Sequence, residues 1–164
     1  EETGPLAAVC WTPGDADLFI ATKMGQGIRF SEKLVTPQGD QAIRLADGDT
    51  AVGVASVTDD SGVVLLTASG KGTVRLMSGF APNKSSGGSG KIAMKTEDLV
   101  GAAAMDAAAD VFAISRYGKI IRFPASEVPP TEGVVQGVFC MTLRGDEVSA
   151  YLVSSPKLVN NSMF

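Results

Sequence analysis

Asp17-Leu18-Phe19-Ile20-Ala21-Thr22-Lys23-Met24-Gly25-Gln26-Gly27-Ile28-Arg29-Phe30 is a β-rich run, a glycine-bearing turn and a second short run. That order predicts a β-hairpin. It recurs twice. Val63-Val64-Leu65-Leu66-Thr67 is followed by Gly70, Gly72 and Val74-Arg75-Leu76. Asp110-Val111-Phe112-Ala113-Ile114-Ser115 is followed by Gly118 and Ile121-Arg122-Phe123. The arginines stand 46 and 47 residues apart.

Each hairpin is followed by a second similar unit: Gly39 to Leu45, Gly90 to Lys95, and Gly137 to Arg144. An acidic turn comes next, at Asp47-Gly48-Asp49, Glu97-Asp98 or Gly145-Asp146-Glu147. A further apolar run then closes the unit, at Val52 to Val57, Leu99 to Met105 or Val148 to Val153. Four strands in a period of roughly 45 residues is the size of a propeller-type blade. The predicted class is all-β, a propeller-like array of about three four-stranded blades. The repeats fall near residues 17–62, 63–109 and 110–153. Leu6 to Trp11 is expected to be the closing strand of a preceding, partial blade, and 154–164 a tail. Gly101 to Ala109 has helix propensity but falls in register with a closing strand and the loop after it. Ser85-Ser86-Gly87-Gly88-Ser89-Gly90 is expected to be a flexible polar loop.

The chain of 164 residues is 45% hydrophobic and 20% charged, which suits one domain or one compact repeat array. It contains no histidine, which excludes His-dependent triads and His-ligated metal sites. Cys10 and Cys140 fit no zinc or redox motif, and two cysteines are too few for a disulfide scaffold, so a cytosolic setting is expected. No apolar stretch approaches the ~20 residues of a membrane-spanning helix. The start, Glu1-Glu2-Thr3-Gly4-Pro5, reads as the cut edge of a longer protein.

The net charge of −4 speaks against a generic nucleic-acid binder. Its distribution does not. Residues 67–95 carry Lys71, Arg75, Lys84, Lys91 and Lys95 with no acid, and residues 96–110 carry four acids with no base. The sign alternates in step with the repeat. If the apolar neighbours of Arg29, Arg75 and Arg122 point into the blade stack, period-2 geometry turns each arginine outward. The three would then form a curved row of phosphate contacts. Lys71, Lys84, Lys91, Lys95, Arg116 and Lys119 are expected to add electrostatic capture.

No catalytic constellation emerges. Gly87-Gly88-Ser89-Gly90-Lys91 lacks the helix and the Ser or Thr after Lys that a phosphate-binding P-loop requires. Tyr117 reads as an exposed aromatic at a hairpin tip. Asp59-Asp60 and Glu97-Asp98 read as solvated turns without convergent metal ligands. No catalytic residue, metal ligand or cofactor is expected.

The run of strand, Thr or Ser, glycine turn and apolar-Arg-apolar strand resembles the carboxy-terminal domain of the DNA gyrase A subunit or of its topoisomerase IV counterpart. The matching pieces are Phe19 to Gly25, Leu65 to Gly72, Gly118 to Phe123, and Gln136 through Val148. The resemblance covers residues 5–153. It implies a β-pinwheel, in which blades exchange a strand with their neighbours and a basic outer rim bends and wraps duplex DNA. It also implies a separate catalytic core as partner, an ATP-dependent parent enzyme and a bacterial, nucleoid-associated setting. The gyrase subtype carries a Gln-Arg-Arg-Gly-Gly-Lys-Gly box. Here serines stand at both Arg positions and at the Lys position, flanked by Lys84 and Lys91. A short array also leaves strand edges open, a route to homo-oligomers. The alternatives are a propeller-like protein-interaction platform and a degenerate structural repeat with little DNA binding.

Overall fold

The computed structural model describes residues 4–105 and 108–154. In chain order its strands are β1 (Asp17–Thr22), β2 (Gln26–Ser31), β3 (Ala51–Val57), β4 (Gly62–Leu66), β5 (Lys71–Leu76), β6 (Lys91–Ile92), β7 (Ala103–Met105), β8 (Asp110–Ser115), β9 (Ile120–Pro124), β10 (Pro130–Thr131), β11 (Val138–Phe139) and β12 (Val148–Val153). The three quoted motifs are the antiparallel hairpins β1–β2, β4–β5 and β8–β9.

The hairpins share one turn chemistry. The hydroxyls of Thr22, Thr67 and Ser115 accept the N–H of Gln26, Lys71 and Lys119 at 3.1, 3.0 and 3.1 Å. Gly25, Gly70 and Gly118 take φ of +79°, +91° and +83°, a region closed to most side chains. Their N–H groups donate back to the carbonyls of Thr22, Thr67 and Ser115. After each hairpin the chain makes one 3-10 turn: Glu32–Leu34, Met77–Gly79 and Ala125–Glu127.

The sheets cut across the sequence repeats. The first runs β3-β1-β2-β6, the second runs β10-β5-β4-β7 with β11 also on β5, and the third runs β12-β8-β9. Thus β6, from the second repeat, forms the outer edge of the first blade, pairing Gln26 with Ile92 and Gly27 with Lys91. Strands β10 and β11, from the third repeat, do the same for β5. Among the described residues the third blade has no strand beyond β9. The closing strands β3, β7 and β12 contact one another in series at the opposite edge.

The core lies in the seams between blades. Alternate residues of β4 serve different seams. Val63 and Leu65 join Phe19, Ala21, Phe80 and Met94, while Val64 and Leu66 join Val111, Ala113, Phe123 and Met141. Both faces of this strand are therefore dry, and all five of its residues are buried. Phe19 meets Phe80 of the next repeat edge-on, with ring centroids 5.1 Å apart. Burying a side chain of that size contributes about 1.5–3 kcal/mol. A third cluster, Ile28, Phe30 and Ile43, covers the other face of the first blade.

Three expectations need correction. Leu6 to Trp11 forms no strand, and Leu6, Val9 and Trp11 are exposed. The unit from Gly39 to Leu45 makes only one bridge, Arg44 with Ser89. The Ser85–Gly90 loop is held in place: Gly87 N–H donates to the Ala42 carbonyl and Arg44 N–H to the Gly88 carbonyl, both at 2.9 Å. Within Gly101 to Ala109 the strand is Ala103–Met105. The expected tail from 155 onward lies outside the described residues.

Candidate nucleic-acid interface

The three arginines do not form a row. Thr22, Thr67 and Ser115 hold the same place in each turn and are spaced by 45 and 48 residues, whereas the arginines are spaced by 46 and 47. Pairing agrees with the turn. Arg29 lies opposite Phe19 and Arg122 opposite Phe112, each partner three residues before the turn hydroxyl. At that distance in the second repeat stands Val64, whose partner is Val74. Arg75 is therefore the counterpart of Phe30 and Phe123, and a one-residue offset in a strand turns a side chain to the other face.

Nor do Arg29 and Arg75 reach solvent. Arg29 is 2% exposed. Its Nε donates to Asp17 Oδ2 at 2.9 Å, Nη2 to Asp59 Oδ1 at 2.7 Å, and Nη1 to the carbonyls of Met77 and Phe80 at 3.1 Å. Arg75 is 5% exposed and donates through Nη1 to the carbonyls of Ala93 and Gly133 at 3.0 and 2.8 Å. Its guanidinium lies 5.4 Å from the Phe80 ring centroid, and burial lowers its pKa. Both arginines tie one repeat to the next. The outward expectation fails because in a stack of blades each sheet face is covered by a neighbour, so period 2 separates one seam from the other instead of core from water.

Arg122 keeps the chemistry of Arg29 without its cover. Its side chain is 66% exposed, its Nε donates to Asp110 Oδ2 at 2.7 Å, and its guanidinium stacks 5.1 Å from the Phe112 centroid.

The lysines fare differently. Lys84, Lys91, Lys95 and Lys119 are exposed and Lys71 is half-buried. Lys91 is on the outer strand β6, and its Nζ stands 5.7 Å from the Phe80 centroid. Lys84 follows Asn83, which bridges to Phe30 on β2. Lys95 is bound through its N–H to the Val135 carbonyl at 2.8 Å. Lys71 faces Phe139 across β5 and β11, with its Nζ 5.1 Å from that ring. Arg116 sits at the β8–β9 tip, 3.7 Å from Glu147. Exposed Arg44, absent from the expected set, lies beside Ser89 and so shares the outer edge with Lys91. Its place in the first second-half unit, where the second repeat has lysines, was the available signal.

The acids serve the turns. Asp49 Oδ1 accepts the Met24 N–H at 3.0 Å, Asp98 Oδ2 that of Ser69 at 3.1 Å, and Asp146 Oδ1 that of Tyr117 at 3.3 Å. The Ser115 hydroxyl holds the Asp146 carboxyl below the usual range, aided by the Glu147 and Tyr117 N–H groups and Lys119, while desolvation opposes them. Acid is thereby gathered at the hairpin tips, and Lys84, Lys91 and Arg44 at the outer edge of the first blade.

Strand-exchanged blades stacked face to face define a propeller-like β-pinwheel. The family described as "DNA gyrase C-terminal domain, beta-propeller" matches residues 16–58 and 109–134. The DNA gyrase A subunit of Pseudomonas aeruginosa is 31% identical over 90% of this chain and 17% of its own length. That of Aminobacterium colombiense is 30% identical over 94% of this chain and 20% of its own. This chain thus spans a fifth or less of those relatives. The solved structure of a DNA gyrase A C-terminal domain superposes with a TM-score of 0.75 at 22% identity, covering 86% of this chain and 51% of that one. The C-terminal domain of DNA topoisomerase IV superposes with a TM-score of 0.81 at 16% identity, covering 93% and 52%. The chain is similar in sequence to the C-terminal domain of DNA gyrase A subunits and shares its β-pinwheel fold with that domain and with the C-terminal domain of DNA topoisomerase IV.

Proposed function

We propose that this segment is a non-catalytic module of a type IIA topoisomerase A subunit that binds and bends duplex DNA through phosphate contacts. The observation that carries the reading is the outer edge of the first blade. Lys91 on β6, Lys84 and Arg44 are exposed there, and among the described residues none of them forms an ion pair. Each cation on such an edge can displace condensed counterions from a phosphate backbone without reading bases. An edge that holds the duplex at several points offsets bending energy with added contacts. Lys71, Lys95, Lys119, Arg116 and Arg122 extend the basic surface, whereas Arg29 and Arg75 act as seam ties.

In this reading the DNA-cleaving core and the ATP-dependent activity belong to the rest of the parent enzyme, which works in the bacterial cytoplasm on the nucleoid. Among the described residues no helix is long and apolar enough to cross a membrane. The open β9 edge also gives the segment a route to self-association. Fluorescence anisotropy of labelled duplexes across a salt series tests the binding. Affinity should be independent of sequence and fall linearly in log–log form, with a slope of about −0.9 per phosphate contact. No binding to duplex at low salt would overturn the proposal.

A further inference from the structure

The second blade departs from the other two at one pair of positions. In the register of the turn hydroxyls Thr22, Thr67 and Ser115, the first hairpin carries Arg29 paired with Asp17 and the third Arg122 paired with Asp110. The second carries Val74 and Gly62 at those places. Its own arginine, Arg75, is turned to the first seam, where it donates to the Ala93 carbonyl.

The frame that receives Arg29 is nevertheless repeated. At the first seam the carbonyls of Met77 and Phe80 accept from Arg29 Nη1, and the Phe80 N–H closes the 3-10 turn on the Met77 carbonyl. At the second seam Ala125 and Val128 stand in the places of Met77 and Phe80. Their turn is closed in the same way, by the Val128 N–H on the Ala125 carbonyl at 3.0 Å. No described residue donates to the Val128 carbonyl. Where the first seam has an arginine, the second has a cleft of about 470 Å³, lined by Gly62, Val74, Leu76, Met105, Ala125 and Val128. Exposed Asp60 stands at its rim. Its chain neighbour Asp59 does the same at the first seam, with Oδ1 2.7 Å from Arg29 Nη2.

We propose that this cleft binds a small organic cation, whose planar guanidinium or amidinium group takes the place that the Arg29 guanidinium holds at the first seam. Its N–H groups donate to the carbonyls of Val128 and Ala125, and Asp60 supplies the countercharge at the mouth. An apolar body attached to the cation lies against Val74, Leu76 and Met105. An anion of the same size would meet two carbonyls and a carboxylate, so the site selects positive charge. The volume is that of a small-molecule site. The cleft lies between the second and third blades, apart from the lysines of the outer edge, and does not rest on the DNA-binding reading.

Titration of the isotope-labelled chain with phenylguanidine, followed by amide NMR, tests this. Saturable shifts are expected at the amides of Gly62, Leu76 and Val128. Phenylurea, the uncharged counterpart of the same shape, should give none. Asp60→Asn, at an exposed position, should weaken binding about three- to fivefold. Val74→Arg combined with Gly62→Asp rebuilds the pair of the first seam inside the cleft and should abolish the shifts. If the double variant does not fold, Asp60→Asn and phenylurea decide alone. The absence of saturable shifts overturns the proposal, as does binding unchanged in Asp60→Asn or in the folded double variant. Equal binding of phenylurea overturns it as well, since the cleft would then be apolar without selecting a cation.

Discussion

Arg29 donates to Asp17 across the β1–β2 hairpin at 2.9 Å, and the pair is pinned by two backbone carbonyls, of Met77 and Phe80, from the following repeat. Arg122 makes the same pair with Asp110, 12 residues earlier, but its side chain is exposed among the described residues. Identical chemistry in two settings separates the worth of the pair from the worth of its burial. Removing Arg29 takes the donor from the buried Phe80 carbonyl, leaves the Met77 carbonyl with only the Phe80 N–H and strands the Asp17 carboxylate, so Arg29→Ala should cost about 2–4 kcal/mol. Arg122→Ala removes an exposed pair and should cost less than about 1 kcal/mol. Urea unfolding of the monomeric chain reads both, and equal losses would mean that the seam adds nothing to Arg29.

The turn glycines give a second matched pair. Gly25 and Gly118 have φ of +79° and +83°, so alanine at either incurs the left-handed penalty of about 1–2 kcal/mol. Only at Gly25 does the new Cβ also collide with the Met94 carbonyl; at Gly118 it meets open space. Gly25→Ala should therefore cost more than about 3 kcal/mol, and Gly118→Ala no more than the backbone penalty. A melting-temperature series on the two variants shows the difference.

These contrasts also mark how far the residues could be read in advance. The hairpins, turn glycines and closing strands were legible because each is local: period-2 apolar runs, a hydroxyl, a glycine with positive φ. The outward arginine row was not. Its error came from aligning Arg75 by residue type when Thr67 fixes the register one residue away. Exposure was misjudged because blade stacking buries both sheet faces, a tertiary fact that no single strand carries. The lysines of the outer edge were legible as charge, but the pairing of Lys91 with Gly27 of another repeat was not, because strand exchange has no local signature. Asp98 read as part of a solvated turn, and Asp49 and Asp146 as parts of acidic turns; all three are caps, each acting on a turn 25 to 29 residues earlier.

The Asp146 cap makes stability depend on pH with a definite sign. Its folded pKa is lowered, chiefly by the Ser115 hydroxyl and further by N–H groups of Glu147 and Tyr117. Between the folded value and the ordinary value of ~3.9, the unfolded chain binds more protons. The contribution is therefore complete above the ordinary value and is lost as pH falls through the folded one. Asp146→Asn should have a lower urea midpoint than the wild-type chain at pH 7. The gap should narrow progressively below about pH 4. A gap constant from pH 7 to pH 3 would show that the carboxylate charge is not what holds the Tyr117 turn.

Charge on the outer edge makes the remaining prediction. Lys84, Lys91 and Lys95 are exposed and free of ion pairs among the described residues, so their removal leaves no buried group unpaired and should leave the unfolding midpoint unchanged. If each meets a phosphate, the triple alanine variant should flatten the salt slope of duplex binding by up to about 2.7 units. Arg44→Ala should remove up to about one more, since Arg44 bridges Ser89 on the same edge. Arg75→Ala provides the opposite control. Its guanidinium is committed to the carbonyls of Ala93 and Gly133, so its loss should lower the melting temperature and leave the slope of the still-folded chain intact. A slope that ignores the lysines but responds to Arg75 would move the DNA path from the outer edge to the seams.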